Sequence, residues 1–376
     1  MGISDYSATE VENTTVPGTP PIEIGKGNLS PQGHDIQRQA LQRIMADMKA
    51  FSARANGRKN WLINGDGRIN QRAASTGISD DEYAHDRHYA LTQSGDISVS
   101  TLTAPAGGIG HMMRLTQANA GAQRFGYAQI IEAAETYALR GRVVTLGGQL
   151  RHSAAAPLRF AILEWTGTAD SVTSDVVNDW TSGTYAAGSF FKSSGLTITQ
   201  VGALTPAAAT MADFHLTATI GAGANNIIVL IWTEGASAQN ETLDLRWYLC
   251  EGDLTGATDF PDVDVAGEMV RCFRFYYAYT ISTGAYGLVM GGRSTSVCSG
   301  TLPFPTVMRI APSFGIAGTP GLLGVATENL DSMTCFASSQ VAGINWSDTG
   351  GPLANLSVYG LTGVSGDVVL EFNSEL

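Results

Sequence analysis

NWLINGDGRINQR, residues 60–72, places an apolar triplet directly before Asn64-Gly65-Asp66-Gly67, and its tail alternates polar and apolar side chains. Asn-Gly favours a tight turn and alternation is the period of a half-buried strand, so the stretch predicts strand, turn, strand at the start of a β-domain. The same signals recur downstream. Strands are predicted over 97–102, 112–115, 143–150, 158–165, 196–201, 213–220, 226–233 and 242–250, with Gly, Asn or Ser clusters between most of them. Eight or so short strands in this arrangement read as a sandwich or jelly roll. The run IIVLIW at 227–232 has no polar face and fits a central strand buried on both sides.

Composition sets the outer bounds. The 376 residues suffice for two domains with separate cores. Charged residues make up 15% of the chain, and the net charge of −12 excludes a typical nucleic-acid binder, whose affinity for phosphate comes from Lys and Arg. The same charge disfavours anionic membranes. No run of about 18 apolar residues predicts a membrane span, and the start MGISDYSATEVENTT has neither the basic nor the apolar region of a secretory signal. Cys250, Cys272, Cys298 and Cys335 lack the spacing of a zinc knuckle and are expected to be buried thiols.

The chain divides into four parts. Residues 1–33 are polar and broken by prolines, too poor in apolar side chains for a core, and are expected to order only against a partner. Residues 34–57 carry Leu41, Ile44, Met48, Phe51 and Ala55 at 3-4 spacing, the seam of a short coiled-coil helix that gathers several chains. An amphipathic helix packed on its own domain is the alternative. Residues 58–252 form the β-sandwich. After the break GDLTGATDFPDVD, AGEMVRCFRFYYAYT predicts a helical turn feeding an aromatic strand, and 253–376 is a second, smaller β-domain.

Several blocks, in one order, resemble those of bacteriophage tail-fibre and other virion appendage proteins. NWLINGDGRINQR followed by Tyr83-Ala84-His85-Asp86-Arg87-His88 is similar to their sandwich opening. Leu249-Cys250-Glu251-Gly252, Ala257-Thr258-Asp259-Phe260, Glu268 and Cys272-Phe273-Arg274-Phe275-Tyr276-Tyr277 resemble its exit, and PFPTVMRIAPSF (303–314) resembles a fibre-tip segment. The resemblance spans about 60–376 and implies a jelly-roll domain like a carbohydrate-binding module. Gly67 and His88 stand where the family has apolar aromatic anchors, so the core there must be filled differently, with Trp61 the expected substitute. The resemblance also implies a structural calcium tying the first strand to the last, for which Asp66 and Asp244 are the candidates. No other cofactor is expected.

The chemistry points to binding. Glycosidases need two carboxyl groups on one cleft; Glu132, Glu135, Glu164, Asp170, Asp175, Asp179 and Glu234 are available, but no spacing pins a pair together. No nucleophile elbow, HExxH helix or phosphate loop appears. His85, Asp86 and His88 could be metal ligands, although such a turn is more often a solvated loop. Sugar sites combine aromatic faces with amide and carboxyl groups. Trp165, Asp170, Asp175, Asn178, Asp179, Trp180 and Tyr185 supply that mixture and form the candidate glycan patch. The competing reading, that Trp165 and Trp180 cover the sandwich core, stays open at this point. Arg271, Arg274 and Arg309 are expected to pair across a homotrimer.

The expectation is a mostly β, non-enzymatic structural and adhesive protein of a phage or phage-like particle, a tail fibre or head spike. It is made in the bacterial cytoplasm and assembled on the virion, docked to other virion proteins through residues 1–33. It binds host-surface polysaccharide and neither nucleic acid nor membrane. The rivals are a polysaccharide-degrading tailspike and a non-adhesive capsid or baseplate decoration.

Overall fold

The computed structural model describes residues 59–72, 75–103, 105, 110–253, 263–323, 332–347, 353 and 357–376. The arm over 1–33 and the helical seam Leu41, Ile44, Met48, Phe51 and Ala55 lie outside the described residues. Asn60–Leu376 forms one compact unit. Its strands fall into two groups, divided at the predicted break.

The first group makes two antiparallel five-stranded sheets. One has the order β1 (Tyr89–Thr92), β4 (Phe125–Ile131), β9 (Asn226–Thr233), β6 (Leu158–Trp165), β7 (Leu196–Leu204). The other has the order β2 (Ile97–Thr103), β3 (His111–Gln117), β10 (Thr242–Glu251), β5 (Val143–His152), β8 (Ala212–Thr219). Their inner faces share one core that includes Phe125, Tyr127, Ile162, Val229, Leu115, Leu146, Leu245 and Trp247. Fully burying each aliphatic side chain contributes about 1.5–3 kcal/mol, which sets the pairing of the two layers.

The first sheet is covered on its outer face as well. Val176, Val177, Phe190 and Phe191, from the segment between β6 and β7, pack on Tyr89, Ala128, Ile130, Leu163, Ile228 and Trp232. This second cover explains why β4 and β9 are buried at every position, as the unbroken run at 227–232 predicts. In the second sheet alternation holds: β8 buries Phe214, Leu216 and Ala218 and exposes Asp213 and His215.

Two strands and one helix go beyond the expected set. β1 is only four residues long. β4 reads FGYAQII and runs almost directly into α1 (Ala133–Leu139), so neither period dominates.

The second group follows α2 (Val265–Phe273), which Asp264 caps through a bond from Ala266 N. The aromatic strand predicted after it is β11 (Tyr276–Ile281), joined to β19 (Val368–Asn373) and β14 (Ser313–Ala317) in a three-stranded sheet. A six-stranded sheet has the order β15 (Pro320–Leu323), β18 (Val358–Gly363), β12 (Leu288–Gly292), β13 (Val297–Pro303), β17 (Val341–Ser347), β16 (Ser332–Ala337). Their shared core holds Met290, Ile344, Trp346, Leu361, Leu370 and Phe372. Cys250, Cys272 and Cys298 are buried free thiols, and Cys335 is half-buried.

The quoted stretch is not the predicted hairpin. Residues 60–72 are a buried, irregular segment whose backbone is satisfied mainly by side chains. Asn64, at φ 59°, donates from Nδ2 to Ile69 O and Asp86 O and accepts from Ile69 N. Gln129 brackets Ile63 by accepting from its N and donating to its O, each at 2.8 Å. The segment joins the two groups of strands. Gln71 donates to Tyr276 O, Glu268 accepts from Asn64 N, and Ile63 and Ile69 pack with Cys272 and Phe275.

The two departures from the appendage pattern also resolve. A Cβ on Gly67 would lie 2.0 Å from Met113 Cγ, so Met113 fills the space of the missing aromatic, not Trp61. His88 lies stacked between Tyr127 and Trp247 and accepts a hydrogen bond from Trp247 Nε1 at 2.9 Å. The expected solvated loop is in fact interior: His85, Asp86 and His88 are fully buried. Their polar atoms meet Tyr127, Thr101, Gln71, Gln129 and Trp247.

Candidate functional site

The seven residues of the predicted glycan patch separate into three places. Trp165 ends β6, and its ring is held between Gly167 and Gly195, where an added Cβ would come within 2.6 Å and 2.5 Å of it. Its Nε1 donates to Thr168 O. Trp165 therefore clamps both ends of the covering segment, a structural role. Asp170 lies beside it, at φ 56°, accepting from Ala133 N at the start of α1 and from Asn226 Nδ2.

Asp175 belongs to a second place. Its carboxylate pairs with Lys192, and Asp80, Asp81 and Asp175 bring their oxygens within 4.8 Å of one another. Burial, followed by the charges of Asp80 and Asp175, raises the Asp81 carboxyl to about 6. Thr92 N donates to Asp80.

The third place gathers Asn178, Asp179, Trp180 and Tyr185 at the opposite end of β6 from Trp165. Arg159 reaches this end, and six residues of strand put it about 20 Å from Trp165. The half-buried Trp180 meets Phe190 at a near right angle, with ring centres 5.9 Å apart. Phe190 in turn stacks on Trp232 at 4.9 Å. Tyr185 packs on Phe190 and Trp232, carries the Arg159 guanidinium over its ring at 4.5 Å, and donates to Glu234 Oε1 at 2.9 Å. Arg159 grips Glu234 with two bonds of 2.9 and 2.8 Å, and Arg124 Nε donates to Glu234 O.

Sequence reasoning named Glu234 only as a spare carboxylate and missed Arg124 and Arg159. The register of β6 on β9 brings Arg159 opposite Trp232, two residues before Glu234, and no local motif encodes that pairing. Asn178 Nδ2 donates to Ser189 O. The exposed Asp179 accepts from Thr181 Oγ1 and N, which hold its carboxyl below the usual range. The hydrogen-bonded Arg159, with Tyr185, does the same for Glu234. The result is a half-buried indole on Phe190, next in the chain to the exposed Asp179, with the Arg159–Glu234 ion pair linked to the same Phe190 through Tyr185.

The calcium expectation at Asp66 and Asp244 fails on chemistry. Asp244 accepts from Arg114 Nε at 2.7 Å and Arg151 Nε at 2.8 Å, and Asp66 accepts from Arg68 Nε at 2.7 Å. Carboxylates already neutralised by guanidinium groups are poor calcium ligands. The expected trimer pairs are likewise satisfied within one chain. Arg271 pairs with Glu268, Arg274 pairs with Glu132, and Arg309 donates to Ser374 O and Glu375 O.

No family model and no curated protein matches the chain. Among solved structures it is similar to the enzymatically active domain of tailspike protein 4 of bacteriophage CBA120, at 14% identity and TM-score 0.31. The match takes in 51% of this chain and 21% of that one, so the chain spans about a fifth of the tailspike domain. TmCBM61 in complex with β-1,4-galactotriose matches at 11% identity and TM-score 0.30, over 52% of this chain and 99% of that one. The family 11 carbohydrate-binding module of Clostridium thermocellum, in complex with a mixed-linked tetrasaccharide, matches at 14% identity and TM-score 0.26, over 49% and 100%.

Proposed function

We propose that the chain is a structural and adhesive component of a phage or phage-like particle, a tail fibre or head spike, whose sandwich binds a host-surface glycan without cleaving it. The observation that carries this reading is the cluster around Trp180. Trp180 would supply the ring that stacks on a pyranose, with the neighbouring Asp179 and the Arg159–Glu234 pair, which reaches Phe190 through Tyr185, available for hydroxyls. The appendage resemblance of the blocks at 60–72, 83–88, 249–277 and 303–314 supports the particle assignment. Homotrimer formation through 34–57 and docking through 1–33 complete the proposal.

The cluster suits binding better than hydrolysis. A glycosidase acid must hold its proton near neutral pH, which takes a raised carboxyl pKa. Asp179 and Glu234 are both lowered. A tailspike hydrolase is the second reading, and Asp81 is the group that favours it, with its carboxyl raised to about 6 beside Asp80 and Asp175.

Purified protein incubated with host capsule or lipopolysaccharide separates the two. The adhesive reading predicts retention on the polysaccharide with no oligosaccharide released. Release that is abolished by Asp81→Asn would establish the hydrolase instead.

A further inference from the structure

We infer that the open face of the six-stranded sheet in the C-terminal part is where copies of this chain meet. The inference stands apart from the glycan site and from the seam at 34–57.

The four most exposed large apolar side chains among the described residues all lie on this face: Tyr286 (74%), Phe336 (71%), Val358 (71%) and Val289 (66%). Strand register places them. Val289 faces Gly360, whose other neighbour is Leu323; Gly291 faces Val358; Thr301 faces Gly343, and Gly343 faces Phe336. Tyr286 lies across Gly360, where an added Cβ would come 2.1 Å from its Cδ1. Between the apolar ends the face presents small or already paired groups, such as the Ser299 hydroxyl bonded to Asn345 Oδ1 at 2.7 Å. The opposite face is fully used, since Met290, Cys298, Ile344, Trp346 and Leu361 point into the core.

Charge identifies the occupant. PGLL, VYGLTG, LVMGG, VCSGTLP, VAGINWS and SMTCFA contain no Asp, Glu, Lys, Arg or His. The whole chain carries −12, so two copies repel over most of their surfaces, and a charge-free face is where that repulsion is least. Depletion of charge together with exposed aromatic residues is also the composition of an interface core. Size agrees: six strands about 4.8 Å apart and roughly five residues long cover roughly 500 Å² in projection, and twice that reaches the approximate 1,000 Å² of a specific interface. Exposed Val289 and Val358 suit a protein partner better than a sugar, which favours aromatic rings.

The test is hydroxyl-radical footprinting of the full chain across a dilution series followed by sedimentation. Where the chain sediments as an oligomer, Tyr286 and Phe336 should be oxidised several-fold more slowly than Tyr137, and that protection should disappear on dilution to monomer. Val289→Lys with Phe336→Lys should weaken association by at least about tenfold, as loss of central interface contacts does, with the unfolding temperature retained. Oxidation of both rings at the Tyr137 rate within the oligomer would overturn the inference. So would a chain that is monomeric at every concentration, or protection that appears only when polysaccharide is added.

Discussion

Arg87 and Glu375, 288 residues apart in sequence, form an ion pair with side chains 1% and 4% exposed. The pair fastens the sandwich to the end of the last strand group. The Arg87 guanidinium also lies 3.6 Å from the centre of the Phe275 ring and donates to Ile130 O, while Arg72 adds a second cation to Glu375 at 3.2 Å. Desolvating these charges is costly; the ion pair, the Ile130 carbonyl and the Phe275 ring offset it, although Arg87 Nε is buried without a hydrogen-bond partner among the described residues.

Arg87→Met should therefore be severely destabilising. It leaves Glu375 with a single cationic partner, and breaking one side of a buried pair costs about 3–5 kcal/mol. Chemical denaturation of the variant checks this figure, and a loss below about 1 kcal/mol would show that Arg72 alone satisfies Glu375.

Acid should weaken the fold through His85 and His88. Burial lowers His85 to about 4 and places His88 well below its ordinary value. An unfolded histidine binds its proton near 6.5, so the neutral folded forms are favoured above that pH, and stability is lost as pH falls from 6.5 towards 4. His85 alone accounts for about 3 kcal/mol over that window. Denaturation midpoints at pH 7 and pH 4.5 measure it. His88→Leu should be destabilising at both, because Trp247 Nε1 loses its acceptor.

Asp81 should act in the opposite sense. Its folded carboxyl is raised from 3.8 to about 6, so the protonated form is favoured and stability declines as pH rises through that interval. Asp81→Asn should raise the unfolding temperature at pH 7.5 and leave it nearly unchanged at pH 4. Equal shifts at both values would mean that charge at this position has no bearing on stability.

The strands were largely legible from the chain because one physical rule, burial by period, governs them. Predicted 158–165 and 226–233 coincide with β6 and β9. The opening stretch departs from the expected hairpin because its turn signal is real but local. Asn64 does take positive φ, yet it bonds to Glu268 and Asp86 and its neighbour Ile63 bonds to Gln129, distant partners that no local pattern announces. The seven candidate glycan residues fall in separate places for a related reason. Trp165 and Trp180 are only fifteen positions apart, but β6 separates their surroundings by its full length.

Asn64→Ala tests that reading of the motif. The side chain satisfies Ile69 N, Ile69 O and Asp86 O within a buried turn, and its own backbone is left-handed. Loss of these bonds plus strain at positive φ should cost about 3 kcal/mol or more in a denaturant titration. A loss under about 1 kcal/mol would place the stability of the joint elsewhere.

Individual glycan sites of this kind are weak, near −4 kcal/mol or about millimolar, and several copies on one particle can raise retention by roughly 10²–10⁴. Retention of the full-length protein on immobilised host-surface polysaccharide, compared across Trp180→Ala, Trp165→Ala and the unmodified chain, is the most direct test of the central claim. Trp180→Ala should abolish retention while its unfolding temperature stays close to the parent's. Trp165→Ala should lower the unfolding temperature and spare retention in the folded fraction. Undiminished retention by folded Trp180→Ala protein would contradict the account.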